Sequence, residues 1–197
     1  VQVSTNEYAE RISAVFDKGK NQHTYPDTHL SNQLKTVARL LSGGSKTKFF
    51  LVQLDDFDTH KDQIVDGDSL NGEHAVLLRE FAEAALAFQR DLKNLGLDKQ
   101  VLTMTFSEFG RKAKENGDLG TDHGNIAPMF VMGSTLPGVY GKNDPLDLID
   151  ENGLLTEMQF DYREVYTHVL KNWLGASDSL IQELSYGQFL SNKTSFI

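Results

Sequence analysis

An α/β layered domain with a mainly parallel sheet is the fold class that this sequence predicts. Short apolar, β-rich runs (FFLVQL, VLTMTF and PMFVMG) alternate with longer segments whose apolar residues recur at helical spacing. The first run is followed at once by acids, as suits a strand buried on both faces. At 197 residues the chain has room for one domain of ordinary size, so residues 1–197 are read as a single α/β domain.

The elements follow in order. Thr5 can cap a first helix in which Tyr8, Ile12, Val15 and Phe16 share a face and Gly19 ends the run. KGKNQHTYPDTH is polar and reads as loop. From His29 the residues Leu30, Leu34, Val37 and Leu41 repeat at spacings of three and four, with Asp27 or Thr28 as cap and Gly43-Gly44 as terminator. Phe49–Leu54 is the first strand. A long amphipathic helix runs from Ser69 to Asn94, with Leu78, Phe81, Ala85, Phe88 and Leu92 on one face and Gly96 closing it. Val101–Phe106 is the second strand. A glycine-rich polar loop, Lys112–Asn125, leads into PMFVMG, and Ser134–Thr156 is rich in turns. Asp161 caps a helix with Val165, Val169 and Trp173 on one face and Gly175 at its end, and a short helix covers Leu180–Leu184.

Composition excludes several function classes. Acids outnumber bases 28 to 19, a net charge of −9, which repels nucleic acid and anionic membranes. Cysteine is absent, so thiolate nucleophiles and cysteine-held metals are excluded, and any metal must be held by His, Asp or Glu. No run reaches the roughly 18 apolar residues of a membrane span. No phosphate-cradling glycine loop follows a strand.

Ligands of open α/β sheets bind beyond the carboxyl ends of the strands. Asp55, Asp56, Asp58 and His60 follow the first apolar run, Ser107, Glu108 and Arg111 follow the second, and Asp122 and His123 precede the third. Carboxylates and imidazoles on one rim suit zinc, manganese or magnesium, and predict a one- or two-metal hydrolytic site. In D-x-H on an extended backbone, alternate side chains point the same way, so Asp58 and His60 can reach one ion. The structural alternatives are plain: Asp55 and Asp56 as turn-forming acids, Glu108 paired with Arg111, His74 and His168 as ordinary helical residues.

The segments YPDTHLSNQLKTVARLL, FDTH, DLKNLGLDKQVLTMTFSEFGR, ENGDLGTDHGNIAPMFVMG and DYREVYTHVLKNWLG closely resemble DUF1501, a family of uncharacterised bacterial proteins, over Tyr25 to Gly175. The resemblance implies a three-layer α/β/α fold of alkaline phosphatase-like type, of which this chain would be the C-terminal part. It implies a metal-dependent hydrolase of phosphate or sulfate esters, acting on a small anionic ester. Asp58 and His60 match the family's D-T-H, and Asp122 and His123 its T-D-H-G. Where the superfamily has a strand-ending Asp-His, this chain has Glu108-Phe109. Either Glu108 takes the Asp's place and Phe109 removes a ligand, or Asp122 and His123 supply the missing ligands. The nucleophile would lie upstream of this chain, with Arg111 clamping the anion. The resemblance also implies export, to the periplasm or beyond. A sheet edge left open by the missing half would favour a homodimer. The rival reading is a non-catalytic binding or scaffold domain with a degenerate metal site.

Overall fold

Leu30, Leu34, Val37 and Ala38 lie one helical turn or two apart, and so do Ala84, Phe88 and Leu92; two such stripes bury one another when their helices pack. The computed structural model describes residues 2–135, 137–141 and 149–191. In it these stripes form the core, with each of these residues under a tenth exposed. The helices are α1 (Gln2–Lys18), α2 (His29–Ser42) and α3 (Glu73–Asn94). Thr5 therefore falls inside α1 instead of capping it. Thr28 does cap α2, its side chain accepting from the Ser31 N–H at 3.3 Å. The third helix starts at Glu73, later than its periodicity suggests, because the Asp68 carboxylate takes the Leu70 N–H and the Asn71 amide and closes a turn there. Leu78, placed on the buried face by spacing, is 41% exposed.

The described residues fall into two compact units. The first holds those up to Val101 together with Glu115–Thr121, and the second holds Leu102–Lys114 and those from Asp122 onward. In the first unit α1 and α2 meet at their carboxyl ends through two buried glycines. The Gly19 N–H donates to the Val15 carbonyl and the Gly43 N–H to the Arg39 carbonyl, each at 3.0 Å. Each of these carbonyl oxygens also stands where the other glycine would carry a Cβ, 1.9 Å from it. Arg39 completes the crossing, its Nε donating to the Phe16 carbonyl at 2.8 Å and its guanidinium lying over the Phe16 ring.

Asp91, fully buried on α3, fixes the connection between α1 and α2. Its carboxylate accepts from the Gln22 N–H at 2.6 Å, the Asn21 amide at 2.8 Å and the Tyr25 hydroxyl at 2.9 Å. Burial, with the Asp91 carboxylate beside it, pushes the Tyr25 hydroxyl well above its ordinary pKa.

The expected three-layer α/β/α architecture with a parallel sheet is not what forms. Among the described residues the sheets are two-stranded, β1 (Thr103–Met104) with β4 (Val131–Met132) and β2 (Gly110–Glu115) with β3 (Thr121–Gly124). The physical reason lies in the connection. VLTMTF and PMFVMG are joined by the β2–β3 hairpin and no helix, and a return of that kind makes neighbours antiparallel, as the register Thr103 to Met132 and Met104 to Val131 is. The stretch Lys112–Asn125, expected as loop, is most of that hairpin.

Among the described residues FFLVQL is extended but pairs with no strand. Phe50, Val52 and Leu54 pack on the α2–α3 core while Phe49 and Leu51 are 73% and 79% exposed, so the run is buried on one face and not on two.

In the second unit Asp161 caps α4 (Tyr162–His168) as expected, accepting from the Arg163 N–H and gripping its guanidinium with both oxygens. That guanidinium holds the Asp161 carboxyl below the usual carboxylate range. A π-helical turn, Val169–Trp173, follows, and α5 (Asp178–Glu183) covers most of the last predicted helix. Within the turn-rich stretch Ser134–Thr156, residues 136 and 142–148 lie outside the described residues.

Candidate metal centre

The D-T-H segment is a tight three-residue turn, the His60 N–H donating to the Asp58 carbonyl at 2.9 Å. Thr59 is 2% exposed, while its neighbours Asp58 and His60 keep side chains 58% and 41% exposed on the other side. His60 Nδ1 stands 3.0 Å from Asp58 Oδ1. The two side chains meet, as the D-x-H spacing expects, but across this turn and not along an extended backbone. The Thr59 hydroxyl, turned inward, makes no hydrogen bond among the described residues.

The chemistry of this pair fits a divalent ion. Two donors each about 2.1 Å from an ion subtend about 90° when 3.0 Å apart, a cis angle of octahedral or five-coordinate geometry; a tetrahedral site needs about 3.4 Å. Without an ion the same distance serves as a hydrogen bond or ion pair, which stores the two side chains in a nearly ligating arrangement.

The hairpin tip Glu115–Thr121, in the same unit, holds the segment that follows His60. The Asn116 amide donates to the His60 carbonyl at 2.8 Å, and the Thr121 hydroxyl donates to Gln63 Oε1 at 2.8 Å. The Asp62 and Ile64 N–H groups donate to the Asp118 and Leu119 carbonyls, each at 3.3 Å. Gly120 passes so close that a Cβ there would meet the His60 carbonyl oxygen at 2.2 Å. Asn116 and Gly120 were not legible as site residues; the signal they carry is the polar, glycine-rich tip itself, which a close backbone approach requires.

The remaining candidates fare differently. Asp55 accepts from the Gln53 side chain, and Asp56 sits at φ 72°, a left-handed turn position that ends the extended run. Glu108 is exposed and makes no hydrogen bond or ion pair among the described residues, so it does not pair with Arg111. In the second unit Asp122 and His123 lie on β3. The Asp122 carboxylate is 3.3 Å from the Lys112 ammonium. The His123 imidazole stacks face to face on Phe109, centroids 3.8 Å apart and planes 9° apart, and Arg111 lies 5.0 Å over the same ring. Phe109, which the sequence marks as a departure from the metal-binding pattern, is thus the surface on which His123 rests. The helical histidines are ordinary: His74 meets Phe57 edge to face, and His168 contacts Asn172.

No helix among the described residues is long and apolar enough to cross a membrane. No curated protein and no solved structure matches the chain. The family described as protein of unknown function DUF1501 matches residues 9–183, nearly the whole sequence with its DTH, SEFGR and TDHG segments, and the chain belongs to that family.

Proposed function

We propose that this protein is a metal-dependent hydrolase of phosphate or sulfate esters, chemistry of the alkaline phosphatase-like kind, with a divalent ion held by Asp58 and His60. The observation that carries the reading is the 3.0 Å pairing of these two exposed side chains about an inward-turned Thr59. Asp122 and His123 are the ligand pair that the sequence resemblance adds. A bound ion would polarise the ester and offset the negative field of an acidic chain. Arg111, held over Phe109, supplies a guanidinium whose planar fork suits an anionic ester.

A second reading, a non-catalytic binding or scaffold domain with a degenerate metal site, is favoured by two contacts. Lys112 neutralises Asp122, and Phe109 covers one face of His123, so both members of the added pair are already engaged.

Elemental analysis of the purified chain, beside His60→Ala and His123→Ala variants, separates these. About one equivalent or more of zinc, manganese or magnesium, lost on His60→Ala, supports the ion site, and metal-dependent release of nitrophenol from nitrophenyl phosphate or sulfate supports the hydrolase. Metal binding without hydrolysis supports the second reading. No metal after supplementation, with the variants folded, overturns the hydrolase and leaves the scaffold domain with a degenerate site.

A further inference from the structure

Phe49–Leu54 is extended, apolar and without a strand neighbour among the described residues, and its backbone hydrogen bonds account for one edge alone. The Gln53 N–H donates to Gln33 Oε1 at 3.0 Å, and Gln33 Nε2 donates to the Gln53 carbonyl at 2.8 Å. In an extended strand, residues two apart present their backbone groups to the same edge. Leu51 and Gln53 therefore face Gln33, and Phe50, Val52 and Leu54 present theirs to the opposite edge. No hydrogen bond reaches that edge among the described residues. An edge of this kind, with Phe49 and Leu51 exposed beside it, is a template for another strand.

The charges flanking the run say which strand. Exposed Lys46 and Lys48 precede it and exposed Asp55 and Asp56 follow it, a basic–apolar–acidic order. A parallel copy would set lysine against lysine and aspartate against aspartate. An antiparallel copy sets each basic end against an acidic end, and opposite charges across a strand pair attract.

We propose that Phe49–Leu54 pairs antiparallel with the same segment of a second copy of this chain, about a two-fold axis at Leu51. The register follows from which edge is open. Leu51 meets Leu51 of the second copy at a non-hydrogen-bonded position, where side chains come closest, and Phe50 exchanges backbone hydrogen bonds with Val52 of the second copy. Thr47 stands across from Asp55 and Lys48 from Leu54, and Lys46 lies beside the turn at Asp56 that ends the pairing. The contact is isologous and closes on itself, so it yields a dimer and not a fibre. Strand pairing alone buries little area, so the dimer is weak and concentration-dependent.

Sedimentation equilibrium of the intact chain from micromolar to near-millimolar concentration tests this. The expected mass rises toward twice 22.0 kDa, and Leu51→Lys, at a position already exposed, weakens association at least tenfold while leaving the circular dichroism unchanged. Charge exchange tests the direction of pairing. A Lys46→Glu/Lys48→Glu chain and an Asp55→Lys/Asp56→Asn chain should each be monomeric alone and associate when mixed. A wild-type chain that stays monomeric throughout overturns the proposal and leaves the edge to a strand of a different polypeptide. A dimer indifferent to Leu51→Lys, or exchanged variants that fail to associate when mixed, overturns it too.

Discussion

Replacing Asp91 by alanine should loosen the whole first unit, because one buried carboxylate ties the α1–α2 connection to α3. The substitution removes the acceptor of three hydrogen bonds, from the Gln22 N–H, the Asn21 amide and the Tyr25 hydroxyl. A hydrogen bond to a charged group contributes about 1.5–3 kcal/mol net, and a stranded buried donor costs about 1–3 kcal/mol. The three are not equal. The Asn21 amide keeps the Lys35 carbonyl at 2.9 Å, and Gln22 is exposed enough for water to replace part of its bond. Tyr25 is left with a half-buried hydroxyl and no acceptor. The sum is on the order of 3 kcal/mol. For a chain of this length each kcal/mol lowers Tm by about 2–4 °C, so a fall of about 6–12 °C is expected. Thermal unfolding followed by circular dichroism reads it, with Tyr25→Phe expected to cost about 1 kcal/mol and the double mutant to show non-additivity. An Asp91→Ala chain within about 0.5 kcal/mol of wild type, the range of an ordinary surface change, would refute the anchoring role.

Tyr25 carries a pH signature as well. Its folded pKa is raised, so its contribution to stability is intact below the unfolded value of 10.0 and is lost as pH rises beyond it; Tyr25→Phe should flatten the decline in urea midpoint between about pH 10 and 11. Asp161 works in the opposite sense. Its folded pKa is lowered, so the α4 cap is intact above the ordinary value of 3.8 and is lost as pH falls through the lowered one, and Asp161→Asn should reduce the acid sensitivity of far-ultraviolet helicity. Gly120→Ala should cost roughly 1–3 kcal/mol, since its methyl group meets backbone at His60; it should also weaken metal binding in titration calorimetry, whereas an unchanged affinity would separate the hairpin tip from the ion site.

The helices were legible because their cause is local: spacing alone placed Leu34, Val37, Phe88 and Leu92 on buried faces. The strands were not. An apolar β-rich run reports that a segment prefers to be extended, and Phe49–Leu54 and Thr103–Met104 are extended; which chain lies alongside depends on distant residues that periodicity does not encode. The parallel sheet was inferred from alternation of element types and failed where VLTMTF met PMFVMG through a hairpin. At the candidate site, the period-two rule expects Asp58 beside His60, and the two do meet, but through the turn that the His60 N–H closes on the Asp58 carbonyl, a cause as local as the helical one. The Lys112–Asp122 pair and the Phe109–His123 stack depend on the pairing of β2 with β3, which the glycine-rich, polar composition around TDHG does not reveal.

The reciprocal crossing of Gly19 and Gly43 has a genetic consequence. Most steric defects in a core can be repaired by a second mutation that trims the offending side chain. Here the obstacle to a methyl group at either position is a main-chain oxygen, Val15 on one side and Arg39 on the other, and those oxygens also receive the two glycine N–H groups. No substitution elsewhere can shorten a peptide carbonyl. A selection for intragenic suppressors of Gly19→Ala or Gly43→Ala should therefore return true revertants at the altered codon, and compensating changes that separate the two helices would forfeit the contact they were meant to restore.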